Sequence, residues 1–548
     1  MIQYKMRKSA YFSTRFWALI GSAFFIFSNL FASLGAAESL TFRLALTKTL
    51  ESRETALDFY QGREFLPIWT GTDAPSQARR TALVRALENA DTHGLPKYKY
   101  SLNRLLALGR TAKSQYDLGI LEGQMTLSFL RYSADVHTGL VVPKKVDKNI
   151  FRKVNYLEDE AFLNPLLSTD ADQFFALLPP QTENYRNLLA ARQDFLSVLK
   201  AGGWGPKLIE EQLRPGERGP AVVALRNRLI EQGYMENTLS DRYGKILRSA
   251  VQRFQKDHGL SPDGVAGPMT LAELNVSVKD RLKAISVAME RERWSNRENW
   301  LDLPKSERQI QVNLTDFSAK IFDNDVVVFE TRSVIGANDE KRRSPEFSDR
   351  MEHMVVNPTW NVPRSITVGE YLPELQMDPF ALSELTLIDP EGQEVDRFDI
   401  NFNDYTEEDF PFDLKQKPSH SNALGLVKFM FPNVHNIYLH DTPQKKLFSR
   451  EERAFSHGCI RLHQPFDFAY ALLSKQTSTP KKRFQTALDL GEENIIFLRQ
   501  PVPVHIIYRT AVTTPDGRIG FRRDIYGRDA QIFLALQKAG VVITSNQG

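Results

Sequence analysis

Apolar residues in the first part of the chain recur at three- and four-residue spacing, as in residues 81–90 and 117–136, which predicts a helical domain over 38–207. Connectors such as residues 65–69 and 139–143 punctuate it and carry no catalytic grouping, so it reads as scaffold. In 208–276 two amphipathic helices stand out. Val222, Leu225 and Leu229 make one stripe, Leu247, Ala250, Val251 and Phe254 the other, with Gly233 and Gly259 placed for left-handed caps. A turn-rich loop, 260–270, leads into a short helix. Residues 277–307 read as a linker helix containing Met289, Arg291, Arg293 and Trp294. Beyond it the period shortens: 309–314, 319–322, 326–334 and 354–356 are strand-like, with Asp323-Asn324-Asp325 as a turn. Residues 504–512, the Pro515-Asp516-Gly517 turn and 519–522 read as a hairpin. The expectation is a multidomain α+β chain ending in a mostly-β domain over 308–548.

Composition narrows the partners. With 42% hydrophobic and 25% charged residues over 548 positions, the chain is globular and too long for one core. Lys plus Arg at 70 against Asp plus Glu at 67 lacks the basic excess of phosphate binders, so no nucleic acid partner is expected. Lys5, Arg7, Lys8 and Arg15 precede an apolar run that holds Trp17, Phe24, Phe25, Ile26 and Phe27, and small residues follow at Gly35, Ala36 and Ala37. Residues 1–37 therefore read as a secretory signal peptide or an uncleaved membrane anchor, and either way the remainder is expected to be exported.

Cys459 is the single cysteine, so no intramolecular disulfide can form. A lone thiol in an exported protein is a liability unless it has a job. It lies in Ser456-His457-Gly458-Cys459-Ile460-Arg461-Leu462, downstream of Tyr438-Leu439-His440-Asp441. A thiol is mostly protonated at neutral pH and needs a base to become a nucleophile; His440 and His457 are both candidates. Gly458 permits a tight backbone that can aim amide N–H groups at one point, as an oxyanion requires. Acyl transfer fits this grouping. Three other readings compete: a metal site using His457, Cys459 and His463 with His435 or His440, a purely structural cluster, and a redox thiol without a resolving cysteine. No metal and no cofactor is expected.

These motifs, with residues 355–366 (VVNPTWNVPRSI) and 422–433 (NALGLVKFMFPN), resemble the YkuD family of L,D-transpeptidases, and the whole layout resembles its large members. Residues 208–276 likewise resemble the peptidoglycan-binding domain 1 family, which implies a grip on cell-wall polymer. The catalytic resemblance implies Cys459 as nucleophile and His440 as general base, its ring oriented by a backbone carbonyl, that of Asp441. It implies oxyanion amides from His457, Gly458 and Cys459, Tyr438 near the acyl oxygen, and Ser456 in support of the loop. Arg461, where many members have Asn, is expected with Trp360 and Asn422 on the substrate side. The implied reaction joins tetrapeptide stems, as donor and acceptor, in a 3-3 crosslink between diaminopimelate residues, with D-Ala released; carbapenems would acylate the same cysteine. Water, a free D-amino acid or a protein amine are rival acceptors, a catalytically idle wall-binding scaffold is the alternative from another class, and peptidoglycan synthases are candidate partners. Residues 367–420, with acidic Asp404, Glu407, Glu408 and Asp409, are expected to form a capping insertion over the cleft, against the alternative of a solvated surface excursion.

Overall fold

Helices build the N-terminal half because their apolar stripes find partners in one another. The structure is a computed structural model and describes residues 40–295, 308–324 and 326–543, so the expected signal segment and residues 296–307 lie outside it. Helix α1 (Gln115–Thr138) opens with a Ser114/Asp117 capping box. Its Glu122 is buried and accepts hydrogen bonds from the amides of Ile68, Trp69 and Thr70, which satisfies the turn of the 65–69 connector. Helix α2 (Glu183–Lys200) is capped by Thr182.

The next unit has its own core. Helices α3 (Pro220–Glu231) and α4 (Lys245–Asp257) bury the expected stripes, and the cluster around Leu225, Leu229, Val251 and Phe254 draws only on residues between Leu208 and Leu274. Gly233 and Gly259 take φ of +75° and +68°, the left-handed caps that the sequence suggests.

Helix α5 (Val278–Trp294) corrects the linker reading, because nearly every face of its second half is buried, including Glu290, Arg291, Glu292 and Arg293. Each charge finds a partner in a different unit. Arg281 pairs with Glu273 at 2.7 Å, Glu290 accepts from the Val141 amide at 2.9 Å, and Arg291 pairs with Glu346 at 2.6 Å and Asp529 at 3.0 Å. A spacing-based reading sees alternating charges as a solvated helix; here they are the spokes of a central strut.

The last part is built on β1 (Gln309–Asn313), β2 (Ser318–Asp323), β3 (Val326–Gly336) and β4 (Phe347–Val356), then β5 (Trp360–Asn361), β6 (Thr386–Ile388), β7 (Glu394–Val395) and β8 (Asp413–Gln416). There follow β9 (Val427–Met430), β10 (Leu439–His440), β11 (Ala454–Ser456), β12 (Ile460–Leu462), β13 (Asn494–Ile507), β14 (Ala511–Thr513) and β15 (Ile519–Phe521). The main sheet runs β11-β3-β12-β10-β9-β4-β13-β1-β2, and β3 also pairs with β2, so it closes on itself around Ile310, Val356, Phe429, Leu439 and Ile460. Residues 504–507 belong to β13 of this sheet; the hairpin is the shorter β14–β15 pair, a correction to the expected arm. It packs on α2 and α5 through Ala511, Ile519 and Phe521. The chain ends in helix α6 (Arg528–Lys538).

The interrupting segment folds as a separate four-stranded sheet, β5-β8-β6-β7, with its own core of Trp360, Leu372, Leu375, Phe402, Phe410 and Leu414. It starts at Trp360, ahead of the expected residue 367, because β5 supplies an edge strand to β8.

Candidate functional site

Strands β10 and β12 run parallel side by side, with Leu439 opposite Ile460 and His440 opposite Arg461. Leu439 and Ile460 are fully buried in the sheet core, so strand alternation turns His440 and Arg461 to the other face. One step back on each strand stand Tyr438 and Cys459, joined by the Ile460 amide donating to the Tyr438 carbonyl at 3.1 Å. The Cys459 thiol donates to the Asn436 carbonyl at 3.5 Å, and the Tyr438 ring lies 5.6 Å from that of His440, centre to centre. The structure therefore gathers Tyr438, His440, Cys459 and Arg461 on one face.

His440 is almost wholly buried. Its Nδ1 meets the Asp441 carbonyl at 2.5 Å, and since a carbonyl only accepts, Nδ1 carries the proton and Nε2 keeps a free lone pair. Asp441 is itself clamped: its carboxylate accepts from the amides of Leu426 and Thr442 and from Lys445 Nζ. Gly425 makes room for that carboxylate, since a Cβ there would stand 2.3 Å from Asp441 Oδ2. That contact gives a physical reason for the glycine in the 422–433 motif.

Burial and the Arg461 guanidinium lower the His440 imidazole to about 3, and burial pushes the Cys459 thiol up to about 11 despite hydrogen bonds from Tyr438. Both groups are neutral at pH 7. The pair rests as thiol and imidazole, and proton transfer must accompany attack. Burial also raises Tyr438, which stays a hydrogen-bond donor. Arg461 donates to Gln444 at 2.6 Å, while its buried Nε has no hydrogen-bond partner among the described residues.

The turn before the thiol is held by hydroxyls. Ser456 Oγ donates to the Cys459 carbonyl at 2.5 Å and accepts from the Gly458 amide at 3.2 Å. The Gly458 amide is therefore spent on the turn, which corrects its expected place among the oxyanion donors; the Cys459 amide carries no hydrogen bond among the described residues. Gly458 has φ of +114°, a conformation that favours glycine. His457 is engaged from the inserted β5–β8 unit, its Nε2 2.6 Å from Glu370.

Two expected substrate contacts are structural. Asn422 is fully buried and donates to the carbonyls of Pro358, Gln416 and Lys417, so it builds the turn that returns the chain from the cap. Trp360 is buried in the cap core and packs edge-on against Tyr371. Glu370 and the buried Ser344, which donates to the Gly458 carbonyl, join the site from outside the motifs. Both are ordinary polar residues far from the motif in sequence, and no local spacing marks them. Among the described residues no group of three or more His, Cys, Asp or Glu is arranged to hold a metal; His435 packs on Phe151 and Phe347, and His463 on Phe448.

Residues 307–480 match the family described as "L,D-transpeptidase catalytic domain", 218–274 match "Putative peptidoglycan binding domain", and 54–191 match "Scaffold domain". The chain carries a YkuD L,D-transpeptidase catalytic domain. A Haemophilus influenzae protein named "Putative L,D-transpeptidase" is 33% identical over 235 residues, 42% of this chain and 47% of that protein. An uncharacterized protein of Kitasatospora aureofaciens is 39% identical over 67 residues, 12% of this chain and 57% of its own. The chain thus spans about half the length of the curated relatives it matches. A crystal structure of an L,D-transpeptidase from Stackebrandtia nassauensis is 14% identical, covers 55% of this chain and 97% of that one, and superposes with a TM-score of only 0.21. The catalytic domain sits beside a helical scaffold and a peptidoglycan-binding domain, and no helix among the described residues is long and apolar enough to cross a membrane.

Proposed function

We propose that the chain is a periplasmic L,D-transpeptidase that forms 3-3 crosslinks between peptidoglycan tetrapeptide stems through a thioester on Cys459. The observation that supports it best is the β10–β12 pair, which sets the single thiol opposite Tyr438 and two register positions from a buried imidazole with a fixed tautomer.

In the first step Cys459 Sγ attacks the carbonyl at the L-centre of diaminopimelate in a donor stem. The thiol proton passes to His440 Nε2 as the S–C bond forms. The developing oxyanion is met by the Tyr438 hydroxyl and the Cys459 N–H. When the tetrahedral species collapses, the C–N bond to the terminal D-Ala breaks and His440 returns its proton to the leaving amine. In the second step the side-chain amine of another stem's diaminopimelate attacks the thioester, His440 takes its proton, and the thiol is released.

Arg461 acts in both directions. Its charge favours a thiolate at Cys459 and disfavours an imidazolium at His440, so it keeps the base neutral until the proton arrives. The cap, seated on Tyr438 and tied to His457 by Glu370, supports an amine acceptor over water by narrowing access to the thioester. Residues 208–276 would hold wall polymer near the site. The acyl step is tested by incubating the chain with disaccharide-tetrapeptide, quenching in acid and mapping peptides by mass. A disaccharide-tripeptide thioester on Cys459 is expected; an acyl adduct of that mass on another residue, or none on Cys459 of the folded chain, would overturn the assignment.

A further inference from the structure

The turn that carries the thiol is fixed from behind by a buried hydroxyl. Ser344 Oγ donates to the Gly458 carbonyl at 2.6 Å and accepts from the Gly336 amide at 3.0 Å. Because Gly336 N–H fills an acceptor position on that oxygen, the serine proton is committed to Gly458. Ser344 is wholly buried, and its backbone is held as firmly as its hydroxyl: its amide donates to Tyr526 Oη at 3.3 Å and its carbonyl accepts from Arg528 Nη2 at 2.9 Å. Tyr526 Oη in turn donates to the Gly336 carbonyl at 2.6 Å. Arg528 pairs with Glu346, which Arg291 of the central strut also holds. Gly336 admits this closeness, since a Cβ there would stand 2.6 Å from the Ser344 amide nitrogen.

A trans peptide unit is planar, with C=O and N–H pointing in opposite directions. The Gly458 carbonyl and the Cys459 amide belong to one such unit. Pinning the carbonyl on Ser344 therefore aims the Cys459 N–H away from the buried serine, in a turn whose Gly458 has a φ of +114° that favours glycine.

We propose that Ser344, braced by Tyr526 and Arg528, is a positioning residue that orients the Cys459 amide as the oxyanion donor of the acyl-transfer reaction. The proposal rests on the reading of Cys459 as nucleophile and adds a role for residues of the β3–β4 connection and the C-terminal segment.

The test separates donor alignment from thiol reactivity. Acylation by a carbapenem passes through an oxyanion, whereas alkylation by iodoacetamide does not. S344A should acylate at least about thirty-fold more slowly than wild type, less than the full loss of an oxyanion donor, while alkylation of Cys459 at pH 9.5 stays within about twofold. Y526F keeps the serine hydroxyl and loosens its brace, so it should show the same split at about three- to tenfold; it carries the comparison if S344A does not fold. Wild-type acylation in S344A, or in Y526F where S344A cannot be studied, would overturn the role. So would an equal loss of acylation and alkylation, which marks a merely structural serine. Absence of either adduct on Cys459 of wild type would overturn the nucleophile reading and this proposal with it.

Discussion

At the scale of residues, burial leaves the Cys459 thiol and the His440 imidazole both neutral at pH 7. With His440 lowered to about 3, its imidazole stays a competent base well below the usual histidine range. Acylation should therefore run flat from about pH 5 to pH 9, with its acid limb near or below pH 4 and none near 6.5. An inflection at the ordinary histidine value in a stopped-flow pH series would contradict this. In His440→Ala the thiol, which burial raises in the intact site, has no base, so acylation at pH 7 should fall about a hundredfold or more and then climb with pH toward pH 10. Cys459, His440 and Tyr438 were legible in the sequence because the motif lies on two short adjacent strands. Their support was not: Ser344 and Glu370 reach the turn across the fold, and Asn422 looked like a substrate contact because a polar residue inside a motif gives no sign that it is buried.

Among the elements, the helix read as a linker is buried and joins all three units. Arg291 is buried between Glu346 and Asp529, and Glu346 also holds Arg528. Arg291→Met would leave two carboxylates without their shared cation, a defect worth about 3–5 kcal/mol for a buried pair broken from one side. The urea midpoint of the catalytic unit should drop accordingly; an unchanged midpoint would show that α5 does not brace it. Alternating charge is the usual mark of a solvated helix, so only the partners' positions disclose the strut. The hairpin illustrates the same limit. Residues 504–507 and 511–513 are similarly strand-like, yet the first run lies in the central sheet and the second packs on the helices, a division set by tertiary contacts. By contrast, the stripes and glycine caps of α3 and α4 could be read directly, because they are local.

Across the whole molecule, the wall-binding unit is tied at one place to the strut and at another to the catalytic domain. Arg281 at the start of α5 pairs with Glu273, and the β14–β15 hairpin grips the end of α4, where Arg518 pairs with Asp257 at 2.9 Å and Arg522 donates to its carbonyl. Gly520 allows that approach, since a Cβ there would lie 2.2 Å from the Asp257 carbonyl oxygen. A wall strand held by residues 208–276 would thus meet a thiol site at a fixed distance, with the cap folded over the donor. This arrangement suits joining two stems of one wall better than hydrolysing a free one. Product analysis tests that claim most directly: the intact chain is supplied with saturating disaccharide-tetrapeptide and the muropeptides are resolved by mass. Dimers joined diaminopimelate to diaminopimelate with matching release of D-Ala are expected, both lost in Cys459→Ala. Tripeptide alone, with no dimer, would contradict it.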